Sequence, residues 1–528
     1  MPVPDIFRQG MRRGWQVYDG SQPLPALPRF DVIIIGSGAG GGTAAEILAL
    51  AGLRIAIIEE GSLKTSSDFH NDEIKAYTEM YQEGALRTTK DGSISILQGR
   101  TVGGTTTVNW TSSFRTPAST LAVWENDFGI DYANTQAMTP WFEQIEQRLN
   151  VQRWGMAPNA NNDVIRLGCE QLGWGWDIIP RNVTGCWNLG YCGTGCPVNA
   201  KQSMLVTTLP TALENHAVLI HSMRAEKLEI RGDKVEGVHV RGMNASLTLS
   251  DGARSLLLAD HVICAGGSIN TPALLLRSRA PDPYQLLGSR TFLHPVCMTA
   301  AQFERAIDGF YGAPQSVYSD HFNETPANQE RLGYKLEVPP MQPSVVAALL
   351  GSWGNENWLR MQQLGQTNIM LALMRDGFLP DCAGGQVELR SNGDATLDYP
   401  FHLAMWRTVR EALWHMGQIQ FAAGATKVMP LHTSADYVSS PQALAKLLDQ
   451  LAYEPLRVRL SSAHVMGGCR MGSDPKNSVT RPDGRHQQLQ NCWVFDGSIF
   501  PTSVGANPQL SIYAFVAKLA TDLSRQLA

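Results

Sequence analysis

Residues 30–61 read FDVIIIGSGAGGGTAAEILALAGLRIAIIEEG. The apolar run Asp31–Ile35 has strand length, is rich in β-branched residues and stops at Gly36. Gly36, Gly38 and Gly41 then give G-x-G-x-x-G, residues 43–51 have the composition of a helix that packs on a sheet, and residues 54–58 form a second β-branched run ending in Glu59. In such a unit the first glycine permits a tight turn, the second lets a pyrophosphate approach the backbone, and the third lets helix and strand pack closely. The helix N-terminus offers free N–H groups and partial positive charge to that pyrophosphate. Glu59, 18 residues after Gly41, is spaced to accept hydrogen bonds from the adenosine ribose. A carboxylate there repels a 2′-phosphate, so FAD or NAD fits better than NADP. Glycine-rich turns alone are common; strand, helix, second strand and terminal acid in this order are not. The unit binds a dinucleotide.

At 528 residues, with 43% hydrophobic and 17% charged residues, the chain has the composition of a globular protein with more than one core. A net charge of −5 gives no support to nucleic-acid binding. No stretch approaches the ~20 apolar residues that span a bilayer, so no transmembrane segment is expected. Arg12–Arg13 has no apolar region behind it, so no signal peptide is expected either. The expected setting is cytoplasmic, with peripheral attachment to a membrane left open.

Residues 1–29 read as an N-terminal extension, with Pro23, Pro25 and Pro28 leading into the first strand. Residues 98–109, QGRTVGGTTTVN, make a glycine- and hydroxyl-rich loop suited to phosphates or a flat ring. Two short strands joined at Gly232 are expected within 218–242, and a strand pair turning at Asp251–Gly252 within 246–258. A further strand over 260–265 runs into a second Gly-to-helix transition, GGSINTPALLLRS. From about 290 to 450 nucleotide signals are missing, and the last segment returns to the first style. The order fits an α/β chain with a discontinuous dinucleotide domain (30–110, 200–290 and 455–528). The rest, 111–199 and 291–454, is the substrate domain, read as an inserted α+β unit on a mostly antiparallel sheet. Trp353, Trp358 and the Met and Leu content of 345–374 suggest an apolar cavity there, although such residues are more often plain core.

Four ordered segments resemble the glucose–methanol–choline (GMC) oxidoreductases, FAD-dependent enzymes. GRTVGGTTTVN at 99–109 is similar to the family's first signature, and GSINTPALLLRS at 267–278 to its second, although Arg279 stands where glycine is usual. HVMGGCRMG at 464–472 and DGSIFPTSVGANP at 496–508 resemble the C-terminal block. The resemblance implies FAD pyrophosphate at Gly36, Gly38 and Gly41, with ribose on Glu59. It implies the ribityl chain and isoalloxazine along Gly103, Gly104 and Asn109, and further contacts at Asp496, Gly497 and Pro508. His464 and Asn507 match the catalytic pair. Members that attach FAD covalently use a histidine just before the Asn109 position; Val108 stands there, so non-covalent FAD is implied.

This pair suits alcohol oxidation. A neutral imidazole accepts the hydroxyl proton while the flavin takes the hydride, and an amide holds the oxygen without competing for its proton. Two alternatives stand beside it: a lyase of the same fold with structural FAD, and a flavoprotein electron-transfer subunit. The expected partner is a small-molecule alcohol; dioxygen, a quinone or a cytochrome is the acceptor. His294 is the other histidine singled out, since it opens the proposed substrate domain.

Cys186, Cys192 and Cys196, spaced C-x5-C-x3-C with Pro197 following, can ligate an iron–sulfur cluster. The spacing resembles that in FAD glucose dehydrogenase subunits, which carry a three-iron cluster. It also resembles long-chain alcohol oxidases, for which no cluster is assumed, and structural cysteines are the other reading.

Overall fold

The computed structural model describes residues 3–244, 249–326, 328 and 330–527. Its first sheet has eight strands. Along the sheet they run Gln16–Asp19, Val218–His221, Ile55–Ile58, Phe30–Ile35, Leu249–Cys264, Lys234–Met243 and Met223–Arg231, and Cys492–Val494 also pairs with Leu249–Cys264. The central pairings are parallel, with Val32 opposite Ile55 and His261 opposite Val32. Val32, Ile33 and Ile34 are fully buried, as strands covered on both faces must be. Burying each such side chain is worth about 2 kcal/mol.

Helix Ala39–Leu50 crosses one face and packs against the C-terminal helix Gln509–Leu527. Gly36 has φ +104°, which favours glycine, and a Cβ on Gly41 would run into the Gly36 carbonyl. The close strand–helix approach expected from the third glycine is therefore real.

Three expectations are corrected here. Residues 16–19 are not part of a free extension: they form the edge strand of this sheet, parallel to 218–221. The chain does not turn at Asp251–Gly252; Leu249–Cys264 is one continuous strand. Its first part pairs antiparallel with Lys234–Met243 and its end parallel with Phe30–Ile35. Asp251 and Gly252 fall in a register shift of the antiparallel pairing, between Arg241 opposite Arg254 and Met243 opposite Leu249. Third, Ile94–Ile96 and Leu460–Ser462, assigned to the nucleotide domain, pair with each other in the second sheet.

That second sheet runs Tyr334–Glu337, Thr367–Met374, Val296–Gln302, Leu460–Ser462 and Ile94–Ile96, with Lys427–Pro430 also against Val296–Gln302. All its pairings are antiparallel except the last two strands. The 20-residue helix Leu403–Ala422 covers one face through Val409, Leu413 and Met416. A second apolar cluster, including Met298, Met341 and Leu371, covers the other. Trp353 and Trp358 are not cavity walls: they are 87% and 58% exposed.

Candidate active site

One large cavity lies where the two sheets meet. Its lining runs from Gly36, Gly38 and Glu59 past Gly104 and Asn109 to His464, Asp496, Gly497, Asn507 and Pro508. These positions come from both ends of the chain, and Gly266, Gly267 and Thr271 add its middle. Gly41 and Gly103 are not in the lining: Gly41 is packed beneath the turn, and Gly103 donates its N–H to Ser37 Oγ at 2.9 Å.

Glu59 is held rigidly. It accepts from the Ser37 hydroxyl at 2.6 Å, from the Ser37 N–H at 3.1 Å and from the Gly61 N–H at 2.8 Å. Burial raises its pKa, and these donors pull against that. Ser37, the first variable residue of G-x-G, was not singled out from sequence, yet it joins the glycine turn, Glu59 and the Gly103 loop. Asp496 does the same for the other half. It accepts from Gly267 N–H at 2.7 Å and Thr271 Oγ1 at 2.6 Å, and from Ser498 N–H at 2.8 Å. The second signature is thereby tied to the C-terminal block.

Asn109 donates to Gln509 Oε1 at 2.7 Å. The helical turn Thr105–Val108 and the chain leaving it are pinned by Lys201, whose Nζ donates to the carbonyls of Thr107, Asn109 and Cys192 at 2.7, 2.8 and 2.6 Å. Burial lowers the Lys201 pKa to about 8. This lysine also escaped the sequence reading; its only signal is its place in the NAKQS stretch after the cysteines.

His464 follows strand Leu460–Ser462, and Asn507 precedes helix Gln509–Leu527. Although 43 residues apart, His464 Nε2 and Asn507 Nδ2 lie 3.5 Å from each other at the cavity wall. Burial lowers the His464 pKa to about 4, so the ring is neutral at pH 7. Its Nδ1 lies 3.4 Å from Nδ1 of His294, which is buried and whose backbone N–H donates to Asp376. His294 is therefore beside the reactive pair. Asn507 Nδ2 also donates to Glu337 Oε2 at 3.2 Å, and Asn507 Oδ1 has no protein partner.

For Cys186, Cys192 and Cys196 the sequence leaves two readings open, an iron–sulfur cluster and structural cysteines. Among the described residues no group of three or more His, Cys, Asp or Glu side chains is placed to hold a metal ion. Cys186, Cys192 and Cys196 are free and half-buried. Cys186 Sγ accepts from Asn188 N–H at 3.4 Å, and Cys192 Sγ from Arg181 Nη2 at 3.5 Å. Burial pushes the Cys186 thiol up.

The cavity brings a glycine turn, the carboxylates of Glu59 and Asp496 and a His–Asn pair together. The GMC oxidoreductase family matches over residues 77–296 and again over 381–515. An uncharacterised GMC-type oxidoreductase of Mycobacterium tuberculosis is 31% identical over 95% of this chain and 76% of its own length. A long-chain-alcohol oxidase of Arabidopsis thaliana is 29% identical over 94% of this chain and 68% of its own length. Among solved structures, pyridoxine 4-oxidase from Mesorbium loti superposes with a TM-score of 0.69 at 16% identity, over 94% of this chain and 99% of that one. Formate oxidase of Aspergillus oryzae gives 0.71 at 15% identity, over 96% and 100%. The chain belongs to the GMC oxidoreductase family and is an FAD-dependent oxidoreductase.

Proposed function

We propose that this protein oxidises an alcohol CH–OH group to a carbonyl, using FAD held without a covalent bond. The observation that carries the reading is the meeting of His464 and Asn507 at the wall of the cavity that the glycine turn opens into. The residues present fit FAD. Gly38, Gly104 and Gly267 line the cavity from three separate segments, and beside Gly38 and Gly267 a Cβ meets nothing closer than 3.8 Å, so glycine keeps that space open for a ligand. Gly36 and Gly38 with the helix N-terminus would hold the pyrophosphate, Glu59 the ribose, and Gly104, Asn109, Asp496, Gly497 and Pro508 the remainder. When bound, FAD supplies a two-electron acceptor for hydride. Val108, buried beneath the loop, offers no nucleophile for a covalent link.

His464 and Asn507 hold the substrate hydroxyl between them. The neutral His464 ring takes the hydroxyl proton as the carbinol C–H bond breaks, and Asn507 orients the oxygen through its amide. The long-chain alcohols named for the Arabidopsis relative set the first substrates to try, and the oxidase names favour dioxygen as acceptor. No described helix is long and apolar enough to cross a membrane. All nine cysteines are free, which suits a reducing, cytoplasmic setting.

Anaerobic mixing with a panel of primary and secondary alcohols tests the reading. A competent alcohol bleaches the flavin, and His464→Ala lowers that rate by ~10²–10⁴ while FAD stays bound. Flavin that stays oxidised with every alcohol would point instead to the lyase or electron-transfer reading.

A further inference from the structure

Glu337 ends the edge strand of the second sheet and is fully buried. Its Oε2 accepts from Gln315 Nε2 at 2.6 Å and from Asn507 Nδ2 at 3.2 Å, while Oε1 has no partner. Asn507 Oδ1, at the far end of the same amide, is also unpartnered. Two buried oxygens left open on neighbouring groups mark a network with one arrangement still to choose.

We propose that Glu337 is a positioning residue whose protonation state sets which end of the Asn507 amide is turned to the substrate oxygen. The proposal rests on the reading above, in which His464 and Asn507 hold the hydroxyl. With Glu337 ionised, the carboxylate takes the Asn507 N–H, and the other Nδ2 hydrogen lies toward His464 Nε2, at 3.5 Å. That arrangement offers the substrate only an acceptor from Asn507. With Glu337 neutral, its O–H donates to Asn507 Oδ1 and the amide turns over. Nδ2 then faces the cavity as a donor, which favours the negative charge that grows on the oxygen as its proton leaves. The proton on Glu337 stays on Glu337 throughout, so no new acceptor is required.

The surroundings support titration near neutrality. Burial pushes Glu337 up to about 7, against the pull of Lys335 two residues before it on the same strand and of Asn507 and Gln315. Lys335 is itself lowered to about 8 by burial, with its Nζ over the rings of Phe114 and Tyr318 at 3.7 and 3.8 Å. Tyr318 is raised to about 12, first by burial, and the charge of Asp320 pulls Lys335 up. His464, neutral at pH 7, faces Asn507 from the loop after Leu460–Ser462.

The test compares wild type with Glu337→Gln, whose side-chain N–H imitates the neutral acid while its oxygen still accepts from Gln315. Wild-type flavin reduction by a competent alcohol should fall about tenfold between pH 6 and 8, as expected for one group titrating near 7. Glu337→Gln should stay flat across that range, and the difference should vanish in an Asn507→Ala background. Infrared spectroscopy supplies a readout that needs no substrate: a protonated-carboxyl band present at about pH 5.5, absent at about 8.5, and missing from Glu337→Gln. An unchanged alkaline fall in Glu337→Gln, or no such band in wild type, overturns the proposal. Absence of flavin bleaching in wild type overturns the alcohol reading instead, and the infrared band then still decides whether Glu337 titrates.

Discussion

The burial of His464 makes a sharp prediction for the acid side of catalysis. An ordinary histidine titrates at about 6.5, whereas here burial lowers the ring to about 4, a preference for the neutral form of about 3 kcal/mol. Only the neutral ring can accept the hydroxyl proton. At pH 5 an ordinary ring is about 3% neutral and this one about 90%, so the two cases differ about thirtyfold in competent enzyme. The assay is anaerobic stopped-flow bleaching of the flavin at low alcohol concentration, where the rate reports the free enzyme's groups. Measured from about pH 6.5 down to about 4.5, the rate should hold nearly level and turn down only at the end of that range. Fluorescence of an ultrafiltrate at each pH verifies that FAD stays bound, and His464→Gln should be slow with no acid limb at all. An acid limb centred near 6.5 in wild type would refute the reasoning. It would mean that water reaches the ring well enough to cancel the burial, or that another residue takes the proton.

Other consequences can be checked on the purified protein. Gly104→Ala should lose FAD and destabilise the loop, because φ is +55° there and a Cβ would sit 2.8 Å from Gly38 Cα; equilibrium dialysis against free FAD measures the loss. Acid precipitation should release all the flavin into the supernatant, since Val108 leaves nothing to tether it; yellow colour retained by the pellet would contradict this. Metal analysis of anaerobically prepared protein should find no stoichiometric iron, and Cys192→Ser should keep wild-type turnover, because the three thiols are not gathered into a ligand set. Lys201→Met should lower FAD affinity: three loop carbonyls would lose their shared donor inside the protein, where each unpaired group costs about 1–3 kcal/mol.

Much of this was legible in residues 30–61 and in four short signatures, because dinucleotide binding depends on local geometry. A glycine at φ +104° after an apolar strand, a helix start and a terminal acid are all set within one βαβ unit, so sequence spacing carries them. His464 and Asn507 could be named from motifs for the same reason. Their partners could not. Glu337, Gln315 and Lys335 belong to no signature, and nothing in a strand reading YKLE distinguishes a buried acid beside the site from an ordinary strand residue. Residues 16–19 look like a linker until the sheet edge beside Val218–His221 gives them a partner. The C-x5-C-x3-C spacing could serve a cluster, but whether three thiols converge depends on how Arg181 and Lys201 fix the loop from elsewhere in the chain. Local backbone demands are written in short stretches, and so the cofactor fold was determined by sequence. The proton chemistry depends on desolvation and on contacts between segments 43 to 170 residues apart, and only the tertiary structure decided it.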